Sequence, residues 1–270
     1  MLARGDIEND LNRNGELALQ AAVLKWWRET DRGDRHFLAL DVGANVGEWT
    51  EALLAEADRQ GVTNLAVIGF EPVPDTADLL RRRIAGMTNG SRCEVVQAAL
   101  SDANGTAVIH AVAGGGGTSS LHPGPGVTGG EQLTIRTITA DGFAHERGLD
   151  AVHLMKIDAE GHDIHVLKGA GRMLEQGMVA VCQFEYNHRW VHSRSFLRDA
   201  FELVQGLPYR VGKVLPEGVE LFGEWHPEME RFFEGNYALL RNDVAACVGA
   251  MAGGFDRFNT LERNAAGDEK

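Results

Sequence analysis

The chain has 270 residues, enough for one α/β domain with additions but short for two full domains. Apolar residues make up 44% of it, sufficient for an ordinary core, yet no run approaches the roughly 20 apolar residues of a membrane span. A net charge of −13 repels phosphate backbones, so nucleic acid is not an expected partner. The densest basic run, Arg81-Arg82-Arg83, reads as the solvated face of a helix.

Residues 1–35 read as a polar N-terminal helical cap with an apolar patch from Leu17 to Trp27. Met1 to Asp10 lack the apolar run of a secretory leader. Cys93, Cys182 and Cys247 are widely spaced and form no CxxC pair, and Cys93 and Cys182, in or beside strand-like runs, read as small core residues in a reducing compartment. A cytoplasmic location is therefore expected.

Phe37 to Leu40 is a short apolar run ending in Asp41, the pattern of a buried parallel strand. A glycine-containing turn leads into a helix over Glu48 to Gln60. Leu65 to Phe70 repeats the strand pattern and ends at Glu71-Pro72, and a helix at about Thr76 to Ala85 precedes a third strand over Glu94 to Leu100. Such alternation predicts a parallel sheet covered on both faces. Thr106 to Val112 and Gln132 to Thr139 instead alternate polar and apolar residues, as strands with one wetter face do. Between them lies an inserted glycine-rich loop, residues 113–131, too long for a tight hairpin.

The parallel rhythm resumes with Val152 to Ile157, ending at Asp158, then a helix at Asp163 to Glu175. Met178 to Phe184 follows as a strand ending at Glu185, then a helix over Phe196 to Gln205 and strands at Tyr209 to Val214 and Tyr237 to Leu240. The expected organisation is thus a cap over 1–35, a domain over 36–248 and a flexible tail over 249–270. Trp225, Phe232 and Phe233 read either as core or as the interface of a homo-oligomer.

Ligands of open parallel sheets bind beyond the carboxyl ends of the strands, and Asp41, Glu71, Asp158 and Glu185 stand at such ends. The first turn, Asp41-Val42-Gly43-Ala44-Asn45-Val46-Gly47, departs from the dinucleotide pattern GxGxxG, because Asn45 and Glu48 occupy glycine positions. Glu48 also places negative charge at a helix N-terminus where a phosphate would sit. A nucleoside lacking phosphate fits better, and S-adenosylmethionine is one. Asp41 would face its positive groups, Gly43 and Gly47 would let the backbone approach, and Glu71 would accept the ribose hydroxyls. Ala99, Leu100 and Ser101 would border the adenine, with Ser101 or Asp102 as a plain cap the alternative.

These motifs, with Phe70-Glu71-Pro72-Val73-Pro74, Ala99-Leu100-Ser101-Asp102, Ser119-Ser120-Leu121 and Lys156-Ile157-Asp158-Ala159-Glu160-Gly161-His162-Asp163, resemble the FkbM family of methyltransferases over roughly residues 36 to 190. A weaker likeness continues to about residue 242. The resemblance implies the class I methyltransferase fold, a Rossmann-like, doubly wound, seven-stranded sheet, mostly parallel, with one antiparallel strand near the edge. It implies S-adenosylmethionine as donor and transfer to a hydroxyl oxygen, with macrolide-type natural products and sugars of glycans among family acceptors. The last motif usually ends in Glu where this chain has Asp163, a shorter carboxylate whose alternative role is helix capping.

On this resemblance Asp158 and Glu185 end adjacent strands and point toward the methyl group. Asp158 or His188 would serve as base, with Glu185 orienting the acceptor. Asp158, Glu185 and Asn187 could instead hold Mg²⁺, although nothing in their spacing requires a metal and the metal-free arrangement is preferred. Ser119, Ser120, Glu160 and Asn187 are the candidate acceptor contacts. Lys156, inside a buried strand, needs a carboxylate partner, for which Glu185 or Glu160 is expected. The competing readings are an N-methyltransferase, disfavoured by Asp158-Ala159-Glu160-Gly161 where an Asn/Asp-Pro-Pro-Tyr-like motif would stand, and a non-catalytic nucleoside-binding module.

Overall fold

The computed structural model describes residues 10–31, 36–111, 119–122, 131–255 and 261–264. Most of the glycine-rich loop expected over 113–131 lies outside them. The strands are β1 (Phe37–Val42), β2 (Leu65–Phe70), β3 (Cys93–Val96), β4 (Ala99–Leu100), β5 (Gly105–Ala111), β6 (Glu131–Ile138), β7 (Val152–Ile157), β8 (Val179–Tyr186), β9 (Tyr209–Leu215), β10 (Gly218–Phe222), β11 (Gly235–Arg241), β12 (Ala250–Phe255) and β13 (Leu261–Asn264). The helices are α1 (Glu16–Asp31), α2 (Glu48–Arg59), α3 (Pro74–Gly86), α4 (Ala140–Arg147), α5 (Asp163–Gly169), α6 (Gly171–Glu175), α7 (Trp190–Ser193), α8 (Leu197–Leu203) and α9 (Asn242–Ala245).

The main sheet runs β13-β12-β10-β9-β11-β8-β7-β1-β2-β3. Its last seven members, from β9 to β3, form the expected mostly parallel sheet. Within them β11 alone runs antiparallel, one strand in from β9. The described strand count is ten rather than seven, because β10, β12 and β13 extend the sheet beyond β9. Sequence periodicity missed them for physical reasons. β10 is joined to β9 by a two-residue turn and reads as one run with it, while β12 has the small-residue sequence AMAGGF. β12, inside the segment expected as tail, pairs with β10 over Val219 to Leu221.

The expected third strand is two. The Ala98 amide donates to the Val96 carbonyl at 3.0 Å, and this tight turn redirects the chain out of the main sheet. β4 then pairs with β6 in a second, three-stranded sheet of order β4-β6-β5.

Strand side chains alternate between two cores. Leu40, Val42, Met155, Ile157, Cys182 and Phe184 face α4, α5, α6 and α8. Phe37, Ala39, Leu154 and Val181 face α1 and α2. α1 buries Leu19, Val23, Trp26 and Trp27 against that second core, at spacings that keep one helical stripe inward. At roughly 1.5–3 kcal/mol per fully buried large apolar side chain, this stripe fastens the N-terminal helix directly to the sheet. Trp225 and Phe232 pack partly against the first core, whereas Phe233 is exposed. No helix of the described residues is long and apolar enough to cross a membrane.

Candidate functional site

Strand order reverses between β1 and β7, and there the strands turn polar on the α1–α2 face. Along β1, Phe37 and Ala39 give way to Asp41; along β7, Leu154 gives way to Lys156 and then Asp158; along β8, Val181 gives way to Gln183 and Glu185. Parallel register aligns Asp41 with Lys156 and Lys156 with Gln183, so these side chains point the same way.

Lys156 centres this row. Its Nζ lies 3.2 Å from Asp158 Oδ2 and 3.9 Å from Asp41 Oδ1. Burial alone would lower its pKa, but the carboxylates of Asp158, Asp41 and Glu16 outweigh burial and raise it. The two carboxylates expected as its partners are engaged elsewhere. Glu160 pairs with Arg189 at 2.8 Å, and Glu185 accepts from Asn187 Nδ2 at 2.6 Å. The partner is instead Asp158, just past the end of β7.

Asp41 is fully buried and does not line a ligand cleft. Its Oδ2 accepts the Thr50 hydroxyl at 2.6 Å, and burial raises its pKa despite Lys156. Glu16, which carried no expectation, joins the row from the first turn of α1. Its Oε2 accepts from Gln183 Nε2 at 2.6 Å, and its Oε1 accepts from the Asn14 and Asn236 amides at 2.6 and 3.3 Å.

Above this row opens a cleft at the carboxyl ends of the strands. Of the expected donor residues, Gly43, Asn45, Glu71, Pro72, Ala99, Leu100 and Asp158 line it. The second sheet forms one wall through Ile109 and, beside it, Leu121. Gly43 is at φ 75°, and a Cβ there would meet the Asp158 carbonyl oxygen at 1.9 Å, so only glycine lets the β1 and β7 ends come together. Gly47, at φ 88°, caps α2 outside the cleft lining.

Glu71 is held by two backbone donors, Asn45 N to Oε2 at 3.0 Å and Val73 N to Oε1 at 2.9 Å. A carboxylate offers about four lone-pair sites, so two remain for ligand hydroxyls. Burial raises its pKa to about 7. The loop amides are largely spent internally. Those of Gly43 and Ala44 donate to the Phe70 carbonyl, Asn45 to Glu71, and Gly47 to the Ala44 carbonyl. The cleft walls carry Glu71, Asp158 and Glu160, and no lysine or arginine of the described residues lines it.

A tight turn carries Asp158 and Glu160. Asp163, fully buried at the start of α5, accepts the Ala159 and Gly161 amides at 3.3 and 3.1 Å. Its carboxylate thus ties the turn together, and burial lifts its pKa to about 7. Glu160 stands at φ 53°, and burial with the nearby Asp158 charge raises its pKa to about 8 against the pull of Arg189.

Several candidates fall outside the cleft lining. Glu185 is buried, and burial followed by the Asp158 charge drives its pKa well upward. Asn187 is buried too, and its carboxamide oxygen, the atom a Mg²⁺ would need, accepts the Arg189 amide at 2.8 Å. His188 is exposed. Ser119 lines the cleft, whereas Ser120 is buried and donates to the Glu160 carbonyl at 2.8 Å. Ser101 turns away, its hydroxyl 2.9 Å from His162 Nε2.

Sequence reasoning missed the grouping of His122, His162 and His165, because His122 lies 40 residues before His162. Burial, then the charges of His165 and His122, lower the His162 pKa to about 3. The only local signal was the i, i+3 spacing of His162 and His165.

The hexuronic acid methyltransferase AglP of Haloferax volcanii is 29% identical over 176 residues, covering 57% of this chain and 64% of AglP. The methyltransferase FkbM from Methylobacillus flagellatus KT is 17% identical with a TM-score of 0.46, over 79% of this chain and 47% of that one. The bifunctional kinase-methyltransferase WbdD is 13% identical with a TM-score of 0.45, over 88% and 41%. The chain thus spans under two thirds of the AglP length and about half of the two solved chains. The family model for the methyltransferase FkbM domain matches residues 41–233, from the Asp41 turn to the segment just before β11, and by that match the protein belongs to the FkbM methyltransferase family.

Proposed function

We propose that the chain transfers a methyl group from S-adenosylmethionine to a hydroxyl oxygen of a sugar or natural-product acceptor. One observation carries the donor assignment: the main cleft, at the point where strand order reverses, is walled by three carboxylates and has no lysine or arginine among its described lining residues. That environment rejects a pyrophosphate and suits a ligand bearing a sulfonium and an ammonium. Glu71, with lone pairs to spare, would take the ribose hydroxyls. Leu100, Ile109 and Leu121 would hold the adenine between apolar surfaces. The amino-acid end would run toward the adjoining polar cleft, where Lys156 lies with Asn45 and Asp158. With the loop amides occupied, Lys156 becomes the natural partner of its carboxylate.

When bound, the donor supplies an electrophilic methyl group. The chain's own residues must align the acceptor oxygen and receive its proton. Asp158 would take that proton. Its side chain is 31% exposed, at the junction of the two clefts, with Lys156 fixing its orientation. Glu160, in the same turn with its pKa lifted to about 8, holds its proton at neutral pH and becomes an acceptor only as the pH rises toward 8. Glu185 and Asn187, hydrogen-bonded to each other and buried, would support the turn through Arg189 N rather than touch the acceptor. The similarity to AglP, a hexuronic acid methyltransferase, supports a sugar acceptor.

The test is a methyl-transfer assay with labelled donor and a panel of glycosides and hexuronates. The expected product is an alkali-stable methyl ether, with S-adenosylhomocysteine released. Label recovered on nitrogen, or only as an alkali-labile ester, would contradict transfer to a hydroxyl.

A further inference from the structure

His162 follows the Asp158–Gly161 turn, and His165 lies three residues on, so both imidazoles project from the same side of the start of α5. Their rings stack 4.5 Å apart at 8°. His122 joins them from the short segment at 119–122, with its ring 5.1 Å from His162 and 5.6 Å from His165. One nitrogen from each ring lies within 4.8 Å of the other two. His122 Nε2 and His162 Nδ1 are 2.9 Å apart. Two neutral imidazoles in that geometry share one proton at most, and a cation in its place would be held by both lone pairs.

The outward nitrogens are already fixed. His162 Nε2 lies 2.9 Å from Ser101 Oγ, and His165 Nδ1 lies 2.8 Å from Asp102 Oδ2. These contacts leave His162 Nδ1 and His165 Nε2 for a central ion. A carboxylate on the far nitrogen of a ligand imidazole is the usual support of a metal-binding histidine.

We propose that His122, His162 and His165 form a site for a divalent transition metal of the zinc class, with Asp102 and Ser101 orienting the rings. Three imidazoles suit zinc, cobalt or nickel, whereas magnesium and calcium demand oxygen ligands. Zinc–nitrogen bonds of about 2.0–2.1 Å in tetrahedral geometry place ligand nitrogens about 3.3 Å apart. The 2.9 Å pair must open slightly, and the His165 ring, stacked on His162, must turn to aim a nitrogen at the ion from within 4.8 Å. His122 and His165 are half-buried, so the fourth position faces solvent or a small ligand. The cation would fasten the segment bearing Ser119 and Leu121 to the turn bearing Asp158 and Glu160, joining two walls of the cleft. Its uptake is measurable whatever that cleft binds.

The untagged full chain, stripped with chelator, is titrated with Zn²⁺ in a calorimeter and with Co²⁺ by visible absorption. The site predicts one equivalent bound, with d–d bands of nitrogen-ligated cobalt of low coordination number. Asp102→Asn should weaken binding by roughly 10–100-fold, and His122→Ala and His165→Ala by more. His145→Ala, at an exposed histidine outside the cluster, should change nothing. Circular dichroism checks that each variant keeps its fold. Absence of saturable uptake, uptake unchanged in both His122→Ala and His165→Ala, or preference for Mg²⁺ would overturn the proposal.

Discussion

Lys156 reaches just past the end of β7 to Asp158, Nζ to Oδ2 at 3.2 Å, and its charge is shared with the fully buried Asp41. Removing the ammonium leaves those carboxylates, and Glu16 behind them, uncompensated. Breaking a buried pair by deleting one partner costs about 3–5 kcal/mol. Lys156→Met should therefore lower the urea midpoint by an amount equivalent to that figure, with Lys156→Arg retaining part of the stability. A midpoint unchanged in Lys156→Met would mean that the row of charges contributes nothing to the fold.

Stability should fall as pH rises from about 6.5 to about 8. Glu71 and Asp163 titrate near 7 and Glu160 near 8 in the folded chain, far above the usual carboxylate range. Across that window the folded state holds protons that the unfolded state has lost, so deprotonation favours unfolding. His162 acts in the opposite sense, but only below about 6.5, where the unfolded imidazole protonates and the folded one does not. Each excess proton gives a slope of about 1.4 kcal/mol per pH unit. Urea midpoints across the window should decline, and Glu160→Gln should decline less steeply. A flat or rising midpoint would contradict these assignments.

Glu71→Gln removes charge while keeping shape. If the carboxylate accepts the ribose hydroxyls, affinity for S-adenosylhomocysteine should drop by about 1.5–3 kcal/mol, roughly 10–100-fold. Equilibrium dialysis measures this directly. Unaltered affinity would move the ribose elsewhere in the cleft.

Asp158→Asn separates chemistry from binding. As the proton acceptor, Asp158 should be worth about 10²–10⁴ in kcat, while the affinity for S-adenosylhomocysteine changes only a few-fold. Single-turnover rates beside dialysis would show the split. Retained kcat would leave positioning as the whole of the residue's role.

Much of the sheet could be read from the chain. The apolar runs of β1, β2, β7 and β8, each ending in a carboxylate, gave both the parallel core and its functional edge, because burial on two faces demands continuous apolar residues. The extension past β9 stayed hidden, since a strand such as AMAGGF carries no periodic signal and forms by pairing alone. The lining of the cleft was legible at Gly43, Asn45, Glu71 and Asp158, where local backbone need or strand ends impose the residue. Partners set by tertiary approach were not. The choice of Asp158 for Lys156, the seating of Glu16 among Gln183 and Asn236, and the arrival of His122 beside His162 all depend on how distant segments meet.

The assignment of the cleft to a methyl donor is tested most directly by titrating the purified chain with S-adenosylhomocysteine and, separately, with NAD in a calorimeter. The structure predicts saturable one-to-one binding of S-adenosylhomocysteine and no measurable heat with NAD. Absence of binding by the former, or tighter binding of the latter, would contradict it.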